Sequence, residues 1–565
     1  NALTYYRLAK TYESLKYYPD AIRQYQNLIR KYPGSPWVAE AHYKIGELYY
    51  IDGKYAQAQE SLLQYLLKFR GKANTRKSYY MVAHSYYKDK QSGNAEIWFR
   101  DARKKWSTFM GVPRDILIDL VHHKMSLRQH DEAISVLSFY ANIYPKDEKI
   151  KQVLGLLAQA YEQNGRWASA LAVYSRIIEK YPDSKEATES MLRMADLGID
   201  KPGLKVFRAM NGIDRYRYPM DTYDDIIMKH AADDLAQQAM LHKAAALVKK
   251  DQKRKAADVY LEFISLFPDS KRIDEAARGL KSAASAIIDE YFAKKDYLAV
   301  AYVYFRSFGA LPVSAEEYPQ IQKIATSLKE LNLIEDYTAV LQKYLASARN
   351  EQIIDKVSVD IAEGLILQGQ YDQAEKILQS LLGKPAVKKS GMMTAIRKHL
   401  ADIAYKREQY AQAVANYGDV IKSGQELQNP AKIYTRYAHS LKEQKENSLA
   451  LQNYLSAVKY LSSENRNKEN LGLTYNEIGD LYVKGDNLGL GVSMYNKALE
   501  NTTNPEMKLW LKFMLGHTYL KLSKEEKAED LFAQIKTTAG PESFWSKVVD
   551  FYARDSKWWD KYGGM

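Results

Sequence analysis

Residues 41–66 read AHYKIGELYYIDGKYAQAQESLLQYL, five tyrosines in twenty-six positions, with glycines at 46 and 53 and alanines at 56 and 58. His42, Ile45, Gly46 and Tyr49 fall on one face of a helix, because steps of three and four residues return to the same side. Gly53 follows, a residue type that ends helices in a left-handed turn. Ala58 and Leu62 then begin a second face of the same kind. The stretch therefore predicts two helices folded against each other. Small side chains let the backbones approach, and rings fill the space beside them.

The frame recurs. Tyr5, Leu8, Ala9 and Tyr12 match His42, Ile45, Gly46 and Tyr49, and then Tyr79, Val82, Ala83 and Tyr86, at a period of 37 residues. Second-helix pairs keep step: Ala21 with Tyr25, Ala58 with Leu62, Ala95 with Phe99. The pattern returns at Leu157 to Tyr174, at Ile361 to Ala374, and in four further units from Leu400 to Phe532, with weaker copies between. Gly53, Gly165 and Gly369 stand at turns, and Pro33, Pro145, Pro182 and Pro268 mark where second helices stop. A short motif repeated at this period predicts stacked helix pairs.

These positions resemble the tetratricopeptide repeat, whose first helix carries an aromatic, an aliphatic–small pair and a tyrosine, and whose second helix ends near a proline. The resemblance implies an all-α, right-handed superhelical solenoid of about a dozen or more helix pairs. The linkers RKYPGSPWVAEAHYKIGELYY and EKYPDSKEATESMLRMA are similar in style to those of bacterial envelope members, the outer-membrane-assembly lipoprotein and the periplasmic partner of the Tol–Pal system. That likeness implies a periplasmic or outer-membrane-associated setting, with the cytoplasm as the alternative.

Two segments leave the frame. The expected organisation is an N-terminal array over 1–195, an irregular joint or degenerate repeat over 196–239, a second array over 240–540, and a capping or docking tail over 541–565. The tail places Trp545, Trp558 and Trp559 near the end, either covering the apolar face of the last pair or docking a partner.

Chemistry is sparse. The chain has 565 residues, no cysteine, and 82 Lys and Arg against 69 Asp and Glu, a net charge of +13. Disulfides, cysteine zinc sites and thiol nucleophiles are excluded. No apolar run reaches the roughly 18 residues of a membrane span; YLAVAYVYF, 297–305, is about half that. His122, His123 and His130 lack the spacing of a helical metal pair, and GDNLGLG at 485–491 lacks the lysine of a phosphate loop. No nucleophile elbow occurs. The expectation is no catalysis, no metal and no cofactor. The run KKDQKRK at 249–255 reads as a solvated turn, with a phosphate or anionic-lipid contact as the alternative. Elsewhere the charges are interspersed, which argues against a nucleic-acid binder. The sequence opens on a helical pattern, NALTYYRLAK, so it is read as a trimmed chain whose start says nothing about targeting.

Five tyrosines stand one residue beyond the frame: Tyr6, Tyr43, Tyr50, Tyr80 and Tyr87. They are expected to face the groove lined by successive first helices, where the family receives a partner segment, whereas Tyr49 and Tyr55 belong to the fold. Tyrosine suits such contacts through large area and a polar tip. The expected function is a non-enzymatic protein–protein interaction scaffold in a bacterial envelope machine for assembly, secretion or motility. The alternatives are an adaptor of a polysaccharide or peptidoglycan apparatus that contacts glycan, and a cytosolic regulator that binds peptide or nucleic acid.

Overall fold

The opening stretch forms helices Val38–Ile51 and Tyr55–Lys68, joined by a turn at Gly53 with φ of 74°. The computed structural model describes residues 1–205, 210–230, 233–308, 313–389, 391–462 and 468–552, and among them no strand occurs. They fall into two compact units, Asn1–Ala286 and Ile287–Met565.

The first unit opens with five regular pairs. They are Ala2–Ser14 with Tyr18–Lys31, Val38–Ile51 with Tyr55–Lys68, Thr75–Lys88 with Ser92–Lys105, Arg114–Ser126 with His130–Ile143, and Ile150–Gln163 with Trp167–Lys180. Frame residues make the seams: Ala9, Ala21, Tyr25, Ala58, Leu62, Ala83, Ala95 and Phe99 are fully buried. The small-residue requirement is steric. A Cβ on Gly46 would lie 2.6 Å from Leu62 Cγ, well inside contact distance.

The interruption after Ala195 has its own architecture. Helix Lys185–Asp200 runs past it, followed by the short Asp214–Arg217 and by Pro219–Lys229. Gly198 takes the close approach here, since a Cβ would fall 2.0 Å from Tyr216 O. The Tyr216 hydroxyl donates to Lys201 O at 2.5 Å and accepts from the Leu204 amide at 3.1 Å, closing the insertion onto the helix end. Asp234–Lys249 and Lys253–Leu266 resume the pairing.

The second unit contains Tyr318–Glu330 with Ile334–Leu345, Glu351–Leu367 with Tyr371–Leu382, Met392–Lys406 with Tyr410–Lys422, Pro430–Glu443 with Asn447–Leu461, Lys468–Lys484 with Leu488–Asn501, and Pro505–Lys521 with Glu525–Ala539. Its seams repeat the rule, with Gly479 under the Tyr495 ring and Gly516 under Phe532. After Ala539 the chain turns back as a helix from 544, described to 552, and covers the last pair. No described helix is long and apolar enough to cross a membrane.

Candidate protein-interaction surface

Three of the five tyrosines beyond the frame sit where a first helix, its second helix and the next linker meet. Tyr6 stacks on Trp37 with ring centroids 4.4 Å apart and donates to Glu40 Oε1 at 3.2 Å. Tyr43 packs on Tyr65 at 5.7 Å and donates to Glu47 Oε1 at 2.5 Å. Tyr80 packs between Phe99 and Phe109. Their exposures are 7%, 3% and 0%. The expected open stripe is corrected at these positions: Tyr6, Tyr43 and Tyr80 are buried rings of the scaffold. One step beyond the frame turns a helical side chain by about 100°, and here that turn aims it into the junction. Burial pushes the Tyr80 phenol up to about 12, against the pull of Arg103 and Arg76. Burial, with the Glu47 carboxylate, likewise raises Tyr43.

Tyr50 and Tyr87 remain half-buried on the first-helix face, on either side of His84. His84 Nε2 lies 2.7 Å from Asp119 Oδ2, and Nδ1 lies 2.6 Å from the Tyr50 hydroxyl. A carboxylate can only accept, so Nε2 donates to Asp119 while Nδ1 shares a hydrogen bond with the Tyr50 hydroxyl. Lys88 Nζ reaches the same carboxylate at 2.6 Å. The hydrogen bond from His84 and that from Lys88 outweigh burial and hold Asp119 at about 2. The Tyr87 ring stacks on His84 at 6.1 Å and meets His123 edge-on at 5.5 Å. Three successive first helices are thus tied by one Tyr–His–Asp–Lys chain.

Within each unit an ionic ladder links successive first helices. Glu13 accepts from Lys44 at 2.7 Å, Glu47 from Lys77 at 2.6 Å and Asp115 from Lys149 at 2.9 Å. In the second unit Asp289 with Lys323, Glu363 with Lys329, Asp402 with Arg436 and Glu477 with Lys442 each lie at 2.6 Å. Second-helix tyrosines reach such acids from behind: Tyr25 to Glu13 at 3.1 Å, Tyr174 to Glu162 at 2.9 Å, and Tyr417 to Asp402 and Tyr495 to Asp480 at 2.6 Å. Sequence reasoning missed these acids among the many surface carboxylates. Their signal is positional: each stands 12 or 15 residues before its tyrosine.

The remaining candidates are quickly placed. Trp545 is half-buried against Trp510 and Phe513, and its Nε1 donates to Glu506 Oε2 at 2.8 Å. Trp558 and Trp559 lie outside the described residues. In the basic run, Lys249 pairs with Asp200 at 2.5 Å and Lys253 with Asp251 at 3.0 Å. His123 bonds Glu96 at 3.1 Å, while His122 is exposed. Among the described residues no cluster of three ligand-type side chains could hold a metal.

Two tetratricopeptide repeat models match residues 152–197 and 238–270, and the outer membrane lipoprotein family YfiO matches residues 2–111. No curated protein matches the chain. Among solved structures it is similar to the APC/C hetero-tetramer Cut9–Hcn1, at 13% identity over 97% of this chain and 95% of that one, with a TM-score of 0.32. It is also similar to Naa15/Naa10 bound to HypK-THB, at 14% identity, 99% and 92% coverage and a TM-score of 0.35. A third is yeast Tom70, at 14% identity, 99% and 96% coverage and a TM-score of 0.27. The matched models and the helix pairs in register around them show tetratricopeptide-type repeats in this chain.

Proposed function

We propose that the chain is a non-enzymatic scaffold of a bacterial envelope machine and grips a protein partner along the first helices of its N-terminal pairs. The observation that carries this reading is the half-buried pair Tyr50 and Tyr87 around the His84–Asp119–Lys88 chain. Rings held in place by hydrogen bonds and stacking lose little freedom on binding, which favours them as interface anchors. The ladder beside them is already paired, so it stiffens the face while its carboxylates and ammonium groups set charge complementarity. Similarity of residues 2–111 to an outer membrane lipoprotein family supports the envelope setting.

A photo-crosslinking residue at Tyr87, compared with one at the exposed second-helix position Gln57, tests the reading in native envelopes. The expected result is one discrete protein adduct at 87 and none at 57, lost on Tyr50→Ala. Equal adducts at both positions, or only lipid or glycan products, would sink it.

A further inference from the structure

The interspersed charge expected outside 249–255 fails in one stretch. Residues 66–114 hold twelve Lys and Arg against three Asp and Glu, nine of the +13 charges in 49 residues. Much of this gathers at one edge, where helices Tyr55–Lys68 and Ser92–Lys105 end and the linkers 69–74 and 106–113 begin. The two linkers adjoin: Arg76 from the start of the next helix donates to Met110 O at 2.9 Å and lies 5.5 Å from the Trp106 ring. Lys68, Arg70, Lys72, Arg100 and Lys104 are exposed, and among the described residues none has a carboxylate at ion-pair distance. Bases in a last helical turn offset the helix dipole, which accounts for Lys104 and Lys68 but not for Arg70 and Lys72 in the linker. Beside them Leu67 is 70% and Met110 53% exposed.

We propose that this edge docks on the surface of an anionic lipid bilayer. Unpaired cations on protruding turns can meet headgroup phosphates, and each contributes about five-fold to partitioning near a charged membrane. Leu67 and Met110 are aliphatic tips that can enter the headgroup boundary. A single-stranded nucleic acid would ask for open rings on which bases stack. Here the rings are taken: Phe69 packs on His42 at 5.3 Å and Trp106 on Tyr79 at 5.3 Å. The inference stands apart from the partner groove, since the edge lies at the linkers and uses none of Tyr50, His84 or Tyr87.

Co-sedimentation of the full chain with vesicles tests it, using phosphatidylcholine alone and phosphatidylcholine mixed equally with phosphatidylglycerol. Binding is expected to the mixed vesicles only, weakening as salt rises. The triple variant Arg70→Glu, Lys72→Glu, Lys104→Glu should partition ~100-fold less or worse, with an unchanged circular-dichroism melt. Leu67→Ala with Met110→Ala should lose roughly five-fold while keeping the salt dependence. The control Lys376→Glu, Lys422→Glu, Lys459→Glu removes as much charge from exposed positions in the second unit and should bind as the wild type does. No binding to the mixed vesicles, or an equal loss in the control, overturns the proposal. So does tighter binding to a single-stranded oligonucleotide than to lipid, which would make the edge a nucleic-acid surface.

Discussion

Tyr43 and Tyr49 lie six residues apart on one helix, and the fold uses them differently. Tyr43 is 3% exposed, ringed by Tyr65 and bonded to Glu47, whereas Tyr49 is half-buried on the side of the second helices. Tyr43→Ala should therefore cost about 3–5 kcal/mol, the range for deleting a buried ring. Tyr49→Ala should cost less, about 1–2 kcal/mol, and urea unfolding of both variants checks the order. The sequence pattern places Tyr43 in the groove and Tyr49 in the fold, and burial runs the other way. Periodicity says which residues share a face, but it cannot say that a linker ring such as Trp37 will close over the next face. The acids were illegible for a related reason, since a carboxylate shows its role only when its tyrosine and base arrive from other helices. Asp360 and His399, on neighbouring first helices of the second unit, make a second test at this scale. Burial, with Glu363 nearby, raises the Asp360 carboxyl to about 6; burial, with Lys398 nearby, lowers His399 to about 4. Their linkage has opposite signs. Between the ordinary carboxyl value near ~4 and about 6, folded Asp360 keeps a proton that the unfolded chain releases, so stability falls as pH rises. Between about 4 and the ordinary histidine value near ~6.5, the unfolded chain takes a proton that His399 refuses, so stability rises with pH. The two contributions oppose each other where their windows overlap. His399→Asn should leave a falling trend and Asp360→Asn a rising one, each on the order of 2 kcal/mol between pH ~4 and ~6.5. Melting curves across that window decide it, and parallel trends in the two variants would show that neither group is perturbed as the geometry implies.

Within each pair the turn is the most repeated local structure, and only part of it could be read in advance. Gly53, Gly165 and Gly369 hold φ of 74°, 72° and 78°, as helix-terminating glycines should. The same left-handed conformation recurs at Lys16, Lys90, Arg128, Asp251, Lys295, Asn332, Glu408, Lys445, Asp486 and Ser523, none of them glycine. A side chain at such an angle clashes with its own carbonyl, at a cost of about 1–2 kcal/mol. These residues gave no signal in the sequence because the conformation is imposed by the two helices that must pack across it. At Arg128, φ 56°, the amide donates to Met125 O at 3.0 Å and no described carboxylate pairs with the guanidinium. Arg128→Gly should therefore stabilise, by about 0.5–1 kcal/mol once the extra freedom of glycine in the unfolded chain is subtracted. Gly53→Ala should destabilise by a similar amount. Denaturant midpoints of the two variants measure both, and a loss of stability in Arg128→Gly would mean that the arginine makes a contact worth more than the strain. The small frame positions were legible because their reason is local and steric. Gly479 must be small since Tyr495, fully buried and bonded to Asp480, cannot move aside.

A repeat array has no centre, so its ends decide how much of it survives. Each pair is stabilised by its neighbours, and a terminal pair lacks one of them. At the C-terminal end the chain supplies a substitute. Val549 is buried with Phe513, Phe532 and Ile535, Trp545 lies against Trp510, and Lys536 pairs with Asp550. The departure from the frame at 541–565 is visible in the sequence; which face residues 544–552 cover is not, because that depends on Phe513 and Trp510 being left open by the final turn of stacking. At the other end of the described residues, Asn1 caps helix Ala2–Ser14 by accepting from the Thr4 amide at 2.9 Å. Removing 541–565 should therefore loosen Pro505–Lys521 and Glu525–Ala539 and leave Ala2–Lys31 unchanged, since coupling falls off from pair to pair. Hydrogen exchange of the truncated chain should show amides in the last pair exchanging ~10- to 100-fold faster, the equivalent of about 1.4–2.8 kcal/mol of lost local stability. Trp545→Ala alone should produce a smaller change in the same amides, because it removes one ring of the cover and its bond to Glu506. Unaltered protection in both variants would mean that the tail does not cap the array, and Trp545 would then be free to act as a docking residue.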